Sequence, residues 1–187
     1  SKADVLNEAL NQARVEETGL CIPKVREVTV LDGKWIIVTD YIKGKTLERI
    51  MQEDPDNIET YLNRFVDLQL EVQSKSCPLL TKLRDKMNRK IGQTDFDATT
   101  RYDLHTRLDA ATQGNASADA ARTYLLFRLS GNDELAQRYL QLFCEKSGTA
   151  LTYVQKWMPI VAASQSVKGN ETERALLHQW VNVVDYE

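Results

Sequence analysis

The stretch Val25-Arg-Glu-Val-Thr-Val-Leu-Asp-Gly-Lys-Trp-Ile-Ile-Val-Thr-Asp-Tyr-Ile-Lys-Gly-Lys-Thr-Leu47 decides the fold. Val25, Val28, Val30 and Leu31 come before Asp32-Gly33, and Trp35, Ile36, Ile37 and Val38 come after it. Asp-Gly between two β-rich runs is the strongest short-range hairpin signal, because both central residues of a type I′ turn need positive φ. Two antiparallel strands are expected. Gly44 breaks the second run, and the chain leaves the sheet through Thr39 to Leu47.

Upstream, Val5, Leu6, Ala9, Leu10 and Ala13 recur at the three-and-four spacing of an amphipathic helix, with Gly19 at a natural C-cap position. Downstream, from Asp56 on, only helical periodicity appears. Asp56 or Asn57 can cap a helix with Tyr61, Phe65, Leu68 and Val72 on one face, and Pro78 stops it. Leu79, Leu83, Met87 and Ile91 form a single stripe, and Thr94, with Asp97 three residues on, can cap a helix through Leu104 and Leu108. Asp109 to Ala116 reads as a loop. Further helices are predicted over 118–129, over 133–146 between Asn132 and Gly148, and from Thr149 through Leu151, Val154, Trp157, Met158 and Val161. A last one runs from Asn170 with Glu173 through Leu176, Leu177, Trp180 and Val184. The Met and Trp positions on these faces belong to a core. The pattern is α+β: a helix-plus-hairpin lobe over 1–47, then a predominantly helical lobe over 48–187.

With 187 residues, 42% hydrophobic and 27% charged, the chain has enough apolar mass for a core and is neither fibrous nor disordered in composition. No uncharged apolar run approaches the roughly 20 residues of a membrane span. No secretory signal pattern opens the chain, so no membrane and a cytoplasmic location are expected. A net charge of −3 without a basic stripe argues against nucleic acid as a partner. Cys21, Cys77 and Cys144 are odd in number and far apart, as reduced thiols are. His105 and His178 are too distant in sequence to suggest a ligand pair. The oligomeric state stays open.

Three strings stand in one order along nearly the whole chain: Asn7-Glu8-Ala9 with Cys21-Ile22-Pro23-Lys24-Val25, then Trp35 to Leu47, then Gly114-Asn-Ala-Ser-Ala-Asp119-Ala-Ala-Arg122-Thr-Tyr-Leu-Leu. Together they resemble the aminoglycoside phosphotransferase and choline-kinase-like family, a branch of the protein-kinase-like fold. The resemblance implies a truncated small lobe followed by a helical large lobe. It also implies an ATP-dependent phosphotransferase, with ATP and Mg²⁺, acting on a hydroxyl group of a small molecule such as an aminoglycoside or amino alcohol. In such a protein positioning and charge neutralisation carry catalysis. By the resemblance Glu8 holds a lysine against the nucleotide phosphates. The backbone of Asp40, Tyr41 and Ile42 meets the adenine edge, Ile37 and Val38 lie near its apolar faces, and Asp119 braces the catalytic loop from beneath. The residues alone, without the resemblance, favour an exposed helix carboxylate at Glu8, a plain turn at 40–42 and a helix-N-terminal acid at Asp119.

Several parts of that machinery do not occur in the sequence. No lysine candidate precedes Glu8, and Leu108-Asp109 runs directly into Ala110-Ala111 where the family has a His-Gly-Asp type loop, a metal-binding asparagine and a second aspartate. Catalytic and metal residues are therefore expected to be none in this chain, with a segment missing at 109/110. The alternative is a noncatalytic kinase-like helical binding or interaction module. Two strings do not replace the missing parts. In Asp95-Phe96-Asp97 a helix cap explains the acids, and His105 to Asp109 lies on a helical stripe with the wrong spacing.

Overall fold

In the computed structural model, β1 (Val25–Leu31) and β2 (Lys34–Thr39) pair antiparallel, with Val28 opposite Ile37, Thr29 opposite Ile36 and Val30 opposite Trp35. Asp32 has φ 49° and Gly33 φ 74°, the two positive values that the primed turn requires. The structure describes residues 1–80, 82–111 and 115–182. Among these the protein is mixed α and β, mostly helical, with this one two-stranded sheet. The chain falls into two units, Ser1–Leu80 and Thr81–Glu187.

In the first unit α1 (Lys2–Glu16) packs on both strands. Ser1 caps it through a capping box with Asp4, so the helix begins ahead of Val5, the first residue of the apolar pattern. Three contacts fix the helix to the hairpin. Gln12 Nε2 donates to the Pro23 carbonyl at 2.5 Å, the Val25 N–H donates to Glu16 Oε1 at 2.6 Å, and Lys2 Nζ lies 4.6 Å above the Trp35 ring. A short helix that the periodicity does not predict follows the sheet, α2 (Leu47–Glu53), capped by the Thr46 hydroxyl on the Arg49 N–H. Leu47, Ile50 and Met51 are its half-buried residues, at the i, i+3, i+4 spacing of a helix, but the run spans only seven residues and none is fully buried. A 3₁₀ turn at Pro55–Asn57 leads into α3 (Ile58–Gln73), where Leu62 and Val66 are buried. Asn57 takes the cap position, but its amide bonds the Asp54 carboxylate instead of capping the helix. The unit therefore includes two helices that the 1–47 division leaves out.

The second unit is helical: α4 (Leu83–Ile91), α5 (Ala98–Ala110), α6 (Asn115–Leu129), α7 (Asp133–Ser147), α8 (Leu151–Ser166) and α9 (Glu171–Val181). α8 is its axis, contacted by α4, α5, α6 and α9. Its sequence is apolar nearly all round, and ten of its sixteen residues are buried, Trp157 and Met158 among them as core residues. Tyr139 and Phe143 of α7 are fully buried, with ring centroids 6.2 Å apart.

Cap positions differ from expectation at α1, α5 and α8. α1 has its C-cap at Glu17, in the right-handed region, two residues before Gly19. Asp97, not Thr94, caps α5, accepting from the Thr100 N–H at 2.8 Å, while the Thr94 hydroxyl turns back to the Ile91 carbonyl. Ala150, not Thr149, precedes α8. Asn170 and Glu173 form the expected capping box, and Gly148 ends α7 with φ 68°. α5 runs on through Asp109–Ala110, with the Ala111 N–H on the Arg107 carbonyl at 3.0 Å, so helix replaces the start of the expected loop. Gly114 and Val184 lie outside the described residues.

Candidate functional site

β2 and the segment after it carry five of the seven residues singled out by sequence. Ile37 is half-buried beside its cross-strand partner Val28, and Val38, opposite Glu27, is 38% exposed. Asp40 is doubly committed. Its N–H donates to the Lys24 carbonyl at 3.0 Å, extending the ladder past the bulge at Val25/Glu27, and its carboxylate takes a fork from Arg26, Nε to Oδ1 at 2.5 Å and Nη2 to Oδ2 at 2.9 Å. The Arg26 guanidinium holds the Asp40 carboxyl below the usual carboxylate range. Of the three backbone segments expected at an adenine edge, then, Asp40 has already spent its donor. Tyr41 and Ile42 have not: among the described residues their backbone groups make no hydrogen bond, and their side chains are 87% and 59% exposed. An extended chain leaving a sheet with free donors and acceptors and an apolar neighbour at Val38 can pair with a flat heterocycle edge. It can equally pair with another strand.

Glu8 points to solvent on α1 and makes no ion pair or hydrogen bond among the described residues. The expected lysine pairing has no counterpart in these residues. Lys2, the helix's first cation, instead covers Trp35.

Asp119 belongs to the second unit, on α6. The packing around its carboxyl pushes its pKa above the usual carboxylate range, opposed by Arg122 and Lys86. The residue as a whole keeps substantial exposure, so the local surroundings of the carboxyl set this shift. Its carboxylate accepts no hydrogen bond from any described residue, which leaves it free to receive one.

The two strings set aside by sequence have structural roles. Asp97 is the α5 cap, and Asp95 Oδ1 lies 3.8 Å from His178 Nε2, whose ring packs on Phe96 at 4.6 Å. His105 Nδ1 is 2.8 Å from Asn88 Oδ1, and Asp109 pairs with Arg84 at 2.5 Å. Among the described residues no three His, Cys, Asp or Glu side chains come together as metal ligands. The three cysteines are free thiols. An open cleft of about 260 Å³ in the first unit, lined by Arg14, Glu17, Thr18 and the 76–79 turn, includes none of the predicted site residues and is smaller than a typical ligand pocket.

Two features were not legible in sequence. Arg26 reaches Asp40 across a bulge, fourteen residues away, and periodicity carries no trace of that pairing. A group of cations on α4, α6 and the segment after α8 is signalled only by Lys86-Met-Asn-Arg89-Lys90, a cationic triplet at helical spacing. Among the described residues no helix is long and apolar enough to cross a membrane. No family model, curated protein or solved structure matches the chain.

Proposed function

We propose that the chain is the partial nucleotide-binding lobe and the helical lobe of an ATP-dependent phosphotransferase that acts on a hydroxyl group of a small molecule. The observation that carries this reading is the exit from β2, where Tyr41 and Ile42 offer unpaired backbone groups beside the exposed Val38. Support comes also from the element order: a helix packed on an antiparallel hairpin, an extended exit and then helices. In this reading the Ile42 N–H and the Tyr41 and Ile42 carbonyls bind the base edge, Ile37 and Val38 lie near its apolar faces, and Asp119 accepts hydrogen bonds from a catalytic loop supplied by the parent polypeptide. By the family resemblance the general base belongs to the catalytic loop, which the sequence does not carry. Turnover therefore belongs to the full gene product. Its intact mass tests whether a segment is missing at 109/110.

A titration of the 187-residue chain with ATP tests the binding half of the proposal. Ile42→Pro removes the N–H and is expected to weaken ATP by about tenfold or more, the equivalent of one hydrogen bond or slightly more. Glu27→Gln on the other strand should leave binding unchanged. Equal affinities in Ile42→Pro and the parent chain would remove the hinge reading. A second reading, a noncatalytic interaction module, is favoured by the exposed Leu31, Tyr41 and Ile42 around the sheet. It predicts a protein partner and no response to ATP.

A further inference from the structure

The cations of the second unit form a cluster that nothing above uses. On α4, Met87 and Ile91 are buried, which turns Lys86, Arg89 and Lys90 to the neighbouring flank at positions i, i+3 and i+4. α4 packs on α8, and Lys90 Nζ donates to the Ser164 carbonyl at 3.3 Å, one of the last four carbonyls of that helix. α6 packs on the same helix and brings in Arg122, and Lys168 follows just beyond the α8 C-terminus.

One structural role is plain: Lys90 caps α8, and the helix C-terminus carries about half a negative charge that favours a cation there. The arithmetic does not balance, however. Five cations, Lys86, Arg89, Lys90, Arg122 and Lys168, stand against that half charge, the carboxylate of Asp119 and that of Glu173, which lies against the Gly169 that follows Lys168. Burial and the four neighbouring cations together push the Lys90 ammonium below the usual lysine range. Elsewhere Arg26, Arg49, Arg84 and Arg128 each find a carboxylate within 3 Å. Lys86, Arg89, Arg122 and Lys168 find none among the described residues.

We infer that this cluster is a binding site for a phosphate dianion, held by Lys86, Lys90, Arg122 and Lys168. A phosphate supplies the missing negative charge and three acceptor oxygens in one compact group, and Arg122 can engage two of them side by side. A chloride ion supplies one charge and no fixed geometry, so it satisfies the cluster less well. The site is built from residues of the second unit alone and requires no adenine, so it stands or falls independently of the nucleotide reading.

The test is a calorimetric titration of the 187-residue chain with inorganic phosphate at fixed ionic strength, with chloride as the control salt. Saturable phosphate binding is expected, weakened about tenfold or more in Lys86→Gln/Arg122→Gln, whose two side chains are exposed, and unchanged in Lys34→Gln/Lys43→Gln on the first unit. Asp119→Asn, which removes the opposing carboxylate, is expected to tighten it. Circular dichroism of each variant checks that the fold is retained. A response no larger than that to chloride, or equal affinity in the Lys86/Arg122 double variant, would overturn the site. Sedimentation with phosphatidylcholine vesicles containing phosphatidic acid, without any response to free phosphate, would overturn the soluble ligand in favour of a lipid headgroup.

Discussion

Replacing Gly33 by alanine probes the turn from which the sheet, and with it the exit segment, takes its register. A Cβ at Gly33 would meet no atom within 4 Å, so the substitution adds no clash, and its whole cost lies in the backbone at φ 74°. Holding an L-residue there costs about 1–2 kcal/mol. Loss of unfolded-state freedom returns about 0.4–1 kcal/mol. The net destabilisation is on the order of 1 kcal/mol. Gly44 supplies the internal control. It too has open space around a would-be Cβ, but its φ is not positive, so Gly44→Ala should be neutral or stabilising by about 0.4–1 kcal/mol. Native-state hydrogen exchange at the Thr29 and Ile36 amides, on opposite sides of the ladder, reads the hairpin directly. Faster exchange in Gly33→Ala and unchanged or slower exchange in Gly44→Ala is the expected pair. Equal effects from the two would refute the assignment of the cost to backbone conformation.

Other perturbations separate packing, capping and charge. Phe143→Ala, at a fully buried position, should cost about 3–5 kcal/mol in urea unfolding, because the space beside Tyr139 cannot collapse completely. Asn170→Ala breaks the capping box of α9 and should cost about 0.5–2 kcal/mol, visible as a lower melting temperature. The Thr100 N–H and hydroxyl hold the Asp97 carboxyl below its ordinary value, so its contribution is complete above the unfolded carboxylate pKa, near 4, and is lost as pH falls through the lower folded value. Asp97→Asn should flatten that part of the acid limb of a stability–pH profile. Asp119 has the opposite sign: its raised pKa means that stability falls as pH rises from the unfolded value through the folded one, and Asp119→Asn should remove that decline.

Local chemistry was legible wherever one residue type does one job. Asp32-Gly33 announced its turn because few other pairs take two positive φ values, and Asn170 with Glu173 announced a helix start because both side chains satisfy backbone donors within one turn. The Thr94 assignment failed because a threonine hydroxyl near a helix start has competing partners: it bonds backward to the Ile91 carbonyl. The Thr149 assignment missed by one residue, since Ala150, with no side-chain acceptor to signal it, takes the cap position of α8. α2 escaped notice because it is short: Leu47, Ile50 and Met51 keep helical spacing, but over seven residues that is less than two full turns of signal. At the site, the exit strand could be located from Trp35 to Leu47, but which of its donors stay free could not. That depended on Lys24 and Arg26 meeting Asp40 across the sheet, a tertiary event set by a bulge. The cation cluster was hidden for a similar reason, since helix packing assembles it from three separate stretches of an acidic chain.

The most direct test of the nucleotide reading is an amide-resolved titration of the 187-residue chain with ATP and, separately, with adenosine. Saturable shifts at Ile42 and Tyr41 with both ligands, with the Tyr41 shift lost in Ile42→Pro, are the predicted result. An exit segment whose amides respond to neither ligand would contradict it.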